Sequence, residues 1–224
     1  MRDMHRIDLF LSILLPGVLV LFALMSYLGY SVANFGDSYV LATIVCCILA
    51  SAVAPILRYR NILRMPYWFI AIITSDIYIH SITLYFGTYQ TTLWWDHFTH
   101  FYSSLVVSMV VFIGLCILDK YINKIDFGGN FLFLALVFLC GYGFGNIWEI
   151  FEWTIDTVFG QAFMQYSVFD TLGDVTIDAL GALVMVLIGA LILRGRTPAD
   201  VITDIGIDDK IDGLKKAWVE KYGE

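Results

Sequence analysis

Between Glu149 and Asp178 the chain carries six carboxylates in two ladders. Glu149, Glu152 and Asp156 follow one another at spacings of three and four, and Asp170, Asp174 and Asp178 at spacings of four. On a helix each ladder occupies one face, with neighbouring side chains about 5–6 Å apart. No Lys or Arg lies between Lys124 and Arg194 to balance them. Like charges this close in a low dielectric cannot all stay ionised. They must bind a cation, share protons or line a wet cavity. Asp96 and His100, one helical turn apart, add an imidazole to this set. Carboxylates and imidazoles on facing helices are how bundle cores hold divalent metals, and a nitrogen ligand favours transition metals. The expected cofactor is therefore a divalent metal ion, with His100, Glu149, Glu152, Asp170 and Asp174 as candidate ligands. Glu149 and Asp174 are the candidates for acid–base catalysis. Asp96 is placed to orient the second ring nitrogen of His100, and the deeper Asp178 to act as a structural acceptor or proton holder.

The elements that must position these groups are membrane helices. Of 224 residues, 59% are hydrophobic and 15% charged, against about 25% charged in a soluble domain. The apolar residues gather in runs of membrane-spanning length, about 20 residues each. Six spans are expected: Leu9–Tyr30, Tyr39–Leu57, Pro66–Phe86, Asp96–Leu118, Phe131–Phe159 and Asp170–Leu193. The fold class is all-α, a polytopic integral membrane bundle. Residues 1–196 form the transmembrane domain and 197–224 a polar cytoplasmic tail. In that tail Ile207, Ile211, Leu214 and Trp218 recur at helical spacing and suit a short amphipathic helix on the inner leaflet. The glycines Gly141, Gly143 and Gly145 permit close helix approach or a local break. Cys46, Cys47, Cys116 and Cys140 all fall inside spans without a CxxC spacing and read as packing residues.

Orientation follows from the 13 Lys and Arg. With six spans, every one of them falls on the same side, which the positive-inside rule makes cytoplasmic. Both termini are then cytoplasmic, in a multi-pass protein of the cell membrane. No basic patch exists for nucleic acid; membrane lipids are the expected surroundings. This orientation aims eight carboxylates (Asp76, Asp96, Glu149, Glu152, Asp156, Asp170, Asp174, Asp178) and three histidines (His80, His97, His100) at the outer half of the membrane. A lone Asp near a helix centre costs about 2.5–3.5 kcal/mol on insertion scales, so these groups must face one another rather than lipid. Asp156 also reads as an exposed interfacial residue, and His97, one position past Asp96, as interfacial rather than a ligand. Asp76 and His80 also read as a hydrogen-bonded structural pair.

DHFTHF, EIFEW and DTLGDVTIDALGA resemble the YjdF-like family of predicted membrane proteins, a domain of unknown function. The resemblance covers Trp94–Leu193 and rests on Asp96, His100, Glu149, Glu152, Trp153, Asp170, Thr171, Asp174, Asp178 and Gly181. The order of helices is also similar to that of VanZ-like membrane proteins, although this chain has a second Glu, a third Asp and no Arg before its last helix. The resemblance implies a membrane fold but no reaction. Two functional readings stand. One is a metal-dependent enzyme acting on a lipid or lipid-linked substrate at the outer leaflet, with Trp94, Trp95, Tyr89 and Tyr166 around the mouth. The other is a cation- or proton-coupled transporter or an ion-binding membrane protein.

Overall fold

A computed structural model describes residues 2–28, 37–60, 65–92, 94–121, 127, 129–159, 164–205, 216 and 219–220. Among these residues eight helices follow in order: α1 (Arg2–Tyr27), α2 (Asp37–Tyr59), α3 (Tyr67–Phe86), α4 (Thr88–Thr91), α5 (Trp95–Tyr121), α6 (Asn130–Phe159), α7 (Val168–Ile192) and α8 (Pro198–Ile205). Six of them, α1, α2, α3, α5, α6 and α7, are long and apolar enough to cross a membrane. The protein is an all-α polytopic bundle of six transmembrane helices. The amphipathic stripe from Ile207 to Trp218 lies outside the described residues, as do the 34–36, 61–64 and 122–126 connections.

Two compact units divide the chain, one from 1–90 with 202–224 and one from 91–201. The first packs α1, α2 and α3 together. Each helix contributes one residue to a polar clasp. Arg58 Nε donates to Asp8 Oδ1 at 2.7 Å, and the Tyr67 hydroxyl donates to the same oxygen at 2.7 Å. Arg58 Nη1 donates to the Met65 carbonyl, and the guanidinium lies 4.0 Å from the centre of the Tyr67 ring. The Tyr78 hydroxyl ties α3 to the Leu15 carbonyl of α1. α3 ends at Gly87, whose φ of 65° lets its N–H turn back on Leu84 and Thr83.

The second unit packs α5, α6 and α7 against one another, with large apolar side chains on its outside and a polar cluster among its buried residues. Leu139, Ile147, Ile150, Trp153, Leu172, Leu187 and Leu191 are exposed, while Thr99, His100, Ser104, Ser108, Glu149, Glu152, Asp174 and Asp178 are buried. A helix face of large apolar side chains belongs against lipid, and polar groups at membrane depth belong against protein.

Register follows from small residues at the contacts. Along α5 and α7 the partner numbers keep an almost constant offset: His97 meets Asp174, His100 meets Asp178 and Phe112 meets Gly189. These two helices therefore run parallel. Along α5 and α6 the partner numbers keep a constant sum, as do those along α6 and α7. His100 with Glu149 and Ser108 with Gly141 mark the first pair, Gly145 with Asp178 and Leu134 with Gly189 the second. Both are antiparallel. α6 is continuous through Gly141, Gly143 and Gly145, so the run makes no break; Gly141 and Gly145 serve close approach, to Ser108 and Asp178.

Candidate functional site in the second unit

The polar stripe of α5 repeats every fourth residue as Asp96, His100, Ser104 and Ser108, which keeps it on one face. Parallel register with α7 sets it against Asp174 and Asp178; antiparallel register with α6 sets it against Glu149. His100 lies at the centre. Its Nε2 is 3.8 Å from Asp96 Oδ1, while its Nδ1 is 3.6 Å from Glu149 Oε1 and 3.4 Å from Asp178 Oδ2. One ligand-type atom from each of His100, Glu149 and Asp178 lies within 4.8 Å of the others, and the same holds for Asp96, His100 and Asp174. His100, Glu149, Asp174 and Asp178 are all buried.

Two small or polar neighbours set Asp178. The Ser104 hydroxyl donates to its backbone carbonyl at 2.7 Å. Gly145 leaves the space its carboxylate occupies, since a Cβ there would stand 2.3 Å from Asp178 Oδ2. Asp174 has a partner that the sequence reading set aside. His97 Nδ1 lies 2.8 Å from Asp174 Oδ1, with the His97 side chain 41% exposed and the Asp174 side chain 2% exposed. Gly173 makes room for that ring, standing where a Cβ would be 3.0 Å from His97 Cε1.

The outer members of the two ladders bind the chain segment that joins them. Ser167 caps α7 and accepts from the Asp170 N–H. Asp170 Oδ2 accepts from the Tyr166 N–H at 3.2 Å. Asp156 accepts from the N–H groups of Met164 and Gln165, the latter at 2.8 Å. Gln165 Nε2 donates to the Glu149 carbonyl at 3.2 Å and reaches Glu149 Oε2 at 3.5 Å. Residues 164–167 thus form a strap held by neutral donors on acidic side chains. Tyr166, on this strap, has its phenol pushed up to about 12, first by partial burial and then by the negative charge of Asp96, Asp170, Glu152 and Asp156.

Of the expected ligands, the structure brings His100, Glu149 and Asp174 into the centre, with Asp96 and Asp178 beside them. Glu152 is buried, but its Oε1 accepts from Trp148 Nε1 at 2.7 Å, one turn back on its own helix. Asp170 is engaged by the strap and the α7 cap. Neither falls in the two groups around His100. Asp76 and His80 belong to the first unit, where His80 Nδ1 lies 2.9 Å from the Tyr89 hydroxyl. From spacing alone His97 reads as interfacial and Gln165 carries no signal, while the close approach at Gly145 is one that its glycine run permits.

A six-helix membrane bundle with a buried carboxylate–imidazole centre defines the class: an integral membrane protein. The chain belongs to the family described as "Predicted membrane protein (DUF2238)", which matches residues 14–195; this is the YjdF-like family. It is also similar to a Thermotoga maritima protein described as "Uncharacterized protein", with 27% identity over 114 residues, which is 50% of this chain and 57% of that protein. The matched region thus spans little more than half the length of that relative. No solved structure matches the chain.

Proposed function

We propose that the second unit is the site of a metal-dependent membrane enzyme acting on a lipid or lipid-linked substrate at the outer leaflet. The observation that carries this reading is the composition of the buried centre. Asp96, Glu149 and Asp178 approach the His100 ring, while Lys120, Arg194 and Arg196 of the same unit sit at the opposite ends of α5 and α7. Buried charge without an opposite charge costs several kcal/mol, roughly. A divalent cation supplies that charge from within the cluster. When bound, such an ion polarises an ester or phosphoryl oxygen and makes water a nucleophile at neutral pH.

The chain's own residues then have separable tasks. His100 and its neighbouring carboxylates hold the ion. His97 holds Asp174 in one orientation and is the exposed imidazole of the cluster. The ring ladder of Trp94, Trp95, Phe98 and Tyr102 along the start of α5 offers apolar faces to an acyl chain. Transport of a cation or proton is the weaker reading. Past Asp178 the buried side of α7 runs through Gly181, Ala182, Met185 and Gly189, and that of α5 through Val106, Phe112, Ile113 and Cys116. Ser108 is the last buried polar residue on that side of α5 among the described residues, so no ionisable path continues inward.

The test is elemental analysis of the full chain purified in detergent, followed by lipid mass spectrometry on liposomes holding the metal-loaded protein. A stoichiometric transition metal, with lipid turnover that falls in E149Q and D174N, is the expected result. A metal-free protein whose melting ignores chelator would leave proton sharing among the carboxylates and overturn the reading.

A further inference from the structure

We propose, resting on the metal-binding reading above, that the ion sits on the Nδ1 side of His100. His100 Nδ1, Glu149 Oε1 and Asp178 Oδ2 hold it, and Gln165 fixes Glu149 in the required orientation. Each of α5, α6 and α7 supplies one ligand.

Distances point to this side of the ring. Bonds of about 2.0–2.2 Å in tetrahedral geometry set ligand atoms roughly 3.3–3.6 Å apart. Nδ1 lies 3.4 Å from Asp178 Oδ2, a long hydrogen bond that an ion would replace, and 3.6 Å from Glu149 Oε1. The second separation is too long for a hydrogen bond and suits two ligands of one ion. On the other side Nε2 is 3.8 Å from Asp96 Oδ1, and Asp174 Oδ1 is already engaged by His97 at 2.8 Å.

The state of the remaining carboxylates points the same way. Glu152 accepts from Trp148, Asp156 from Met164 and Gln165, and Asp170 from Tyr166. Glu149 is 4% exposed, and its Oε1 is buried without a hydrogen-bond partner among the described residues. A buried acceptor left without a partner carries its full desolvation penalty. An ion beside Nδ1 removes it. The identity of the free oxygen is set by Gln165, whose amide engages the Glu149 carbonyl and Oε2 and leaves Oε1 turned to the ring. Gln165 is itself anchored through its N–H to Asp156. One imidazole nitrogen and two carboxylate oxygens suit Zn²⁺, Co²⁺ or Mn²⁺ better than Mg²⁺ or Ca²⁺, which take oxygen ligands. Three protein ligands leave a position for water or substrate.

Co²⁺ titration of the full chain in detergent, followed by visible absorption, tests this assignment. Wild type should bind one Co²⁺. E149Q and D178N should lose affinity by more than about 100-fold, beyond the 10–100-fold typical of residues that only support a ligand. Q165A should weaken binding about 10-fold and shift the absorption band, while Q165E, which replaces the donor by a like charge, should weaken it further. E152Q and D170N should weaken it by at most about tenfold. Melting in chelator separates folding from binding for each variant. X-ray absorption of the Zn²⁺-loaded wild type, which needs no variant, should show one imidazole and carboxylate oxygens. Retention of Co²⁺ by E149Q and D178N with loss in D96N and D174N, or a second imidazole on zinc, would overturn the ligand set and leave metal binding standing. A wild type that binds neither Co²⁺ nor Zn²⁺ would overturn both.

Discussion

Glycines in the second unit differ in what a methyl group would meet. At Gly181 a Cβ would lie 2.5 Å from the Phe101 carbonyl oxygen, backbone that cannot step aside. At Gly143 and Gly114 it would meet nothing within 4 Å. Gly181→Ala should therefore destabilise the fold by about 1–3 kcal/mol, as overpacking does. Gly143→Ala and Gly114→Ala should stabilise it by about 0.5–1 kcal/mol through helix propensity. Thermal melting of the three variants in one detergent reads the contrast. Equal losses in all three would remove the close-approach argument. Gly145→Ala is different in kind, because its obstacle is Asp178 itself, whose carboxylate can rotate but whose Cβ, 2.9 Å away, cannot. It should lose stability as Gly181→Ala does and lose metal as well.

At the scale of elements, the Asp8–Arg58–Tyr67 clasp joins α1, α2 and α3 through a single carboxylate oxygen. Asp8 is 8% exposed, so Arg58→Met leaves a buried carboxylate without its cation. The expected cost is about 3–5 kcal/mol. Restoring neutrality with Asp8→Asn in the same chain should recover much of it, which a double-mutant cycle on melting measures. The start of α8 titrates. The Asp200 carboxyl is held below its usual value by the Thr197 N–H, with the Thr197 hydroxyl adding to it. A carboxylate depressed in the fold contributes above its ordinary pKa, and that contribution is lost as pH falls through the depressed value. Amide protection relative to the intrinsic exchange rate at the first turn of α8 should therefore fall in acid, and Asp200→Ala should remove that fall. The strap has no such periodic signature. Loop residues obey no repeat, so nothing in the spacing of Met164, Gln165 and Tyr166 announces that they would occupy Asp156 and Asp170.

Over the whole molecule, hydropathy made the six spans legible, because each helix must satisfy its backbone within itself and turn large apolar side chains outward. The carboxylate ladders were legible too, as faces. What the spacing could not supply was register. His97 sits one position from Asp96 and on its own helix points away from the stripe; only the parallel pairing of α5 with α7 brings it to Asp174. Depth likewise could not tell that Asp178 reaches the His100 ring, where Gly145 leaves it room. The distribution of basic residues leads to a topology that can be checked. With both termini cytoplasmic, cysteines introduced by Asp37→Cys and Thr91→Cys should be labelled from outside. Those introduced by Asn61→Cys and Asn123→Cys should be labelled only after permeabilisation. Labelling at position 61 in intact cells would reverse the orientation.

The parallel pairing of α5 with α7 also bears on how the chain is made. Helices leave the ribosome in order, so α5 and α6 enter the bilayer while the residues that face their polar stripes, Asp174 and Asp178, are still unsynthesised. Until α7 arrives, Ser104 has no Asp178 carbonyl to donate to, and His97 has no acceptor on a neighbouring helix. The intermediate has a polar seam open to lipid or to the insertion machinery, and the last helix closes it. A chain halted between α6 and α7 should consequently be held by the insertion machinery or degraded, whereas one that ends after α7 should accumulate. Pulse-chase of the two truncations distinguishes them, and equal lifetimes would show that α7 is not what completes the seam.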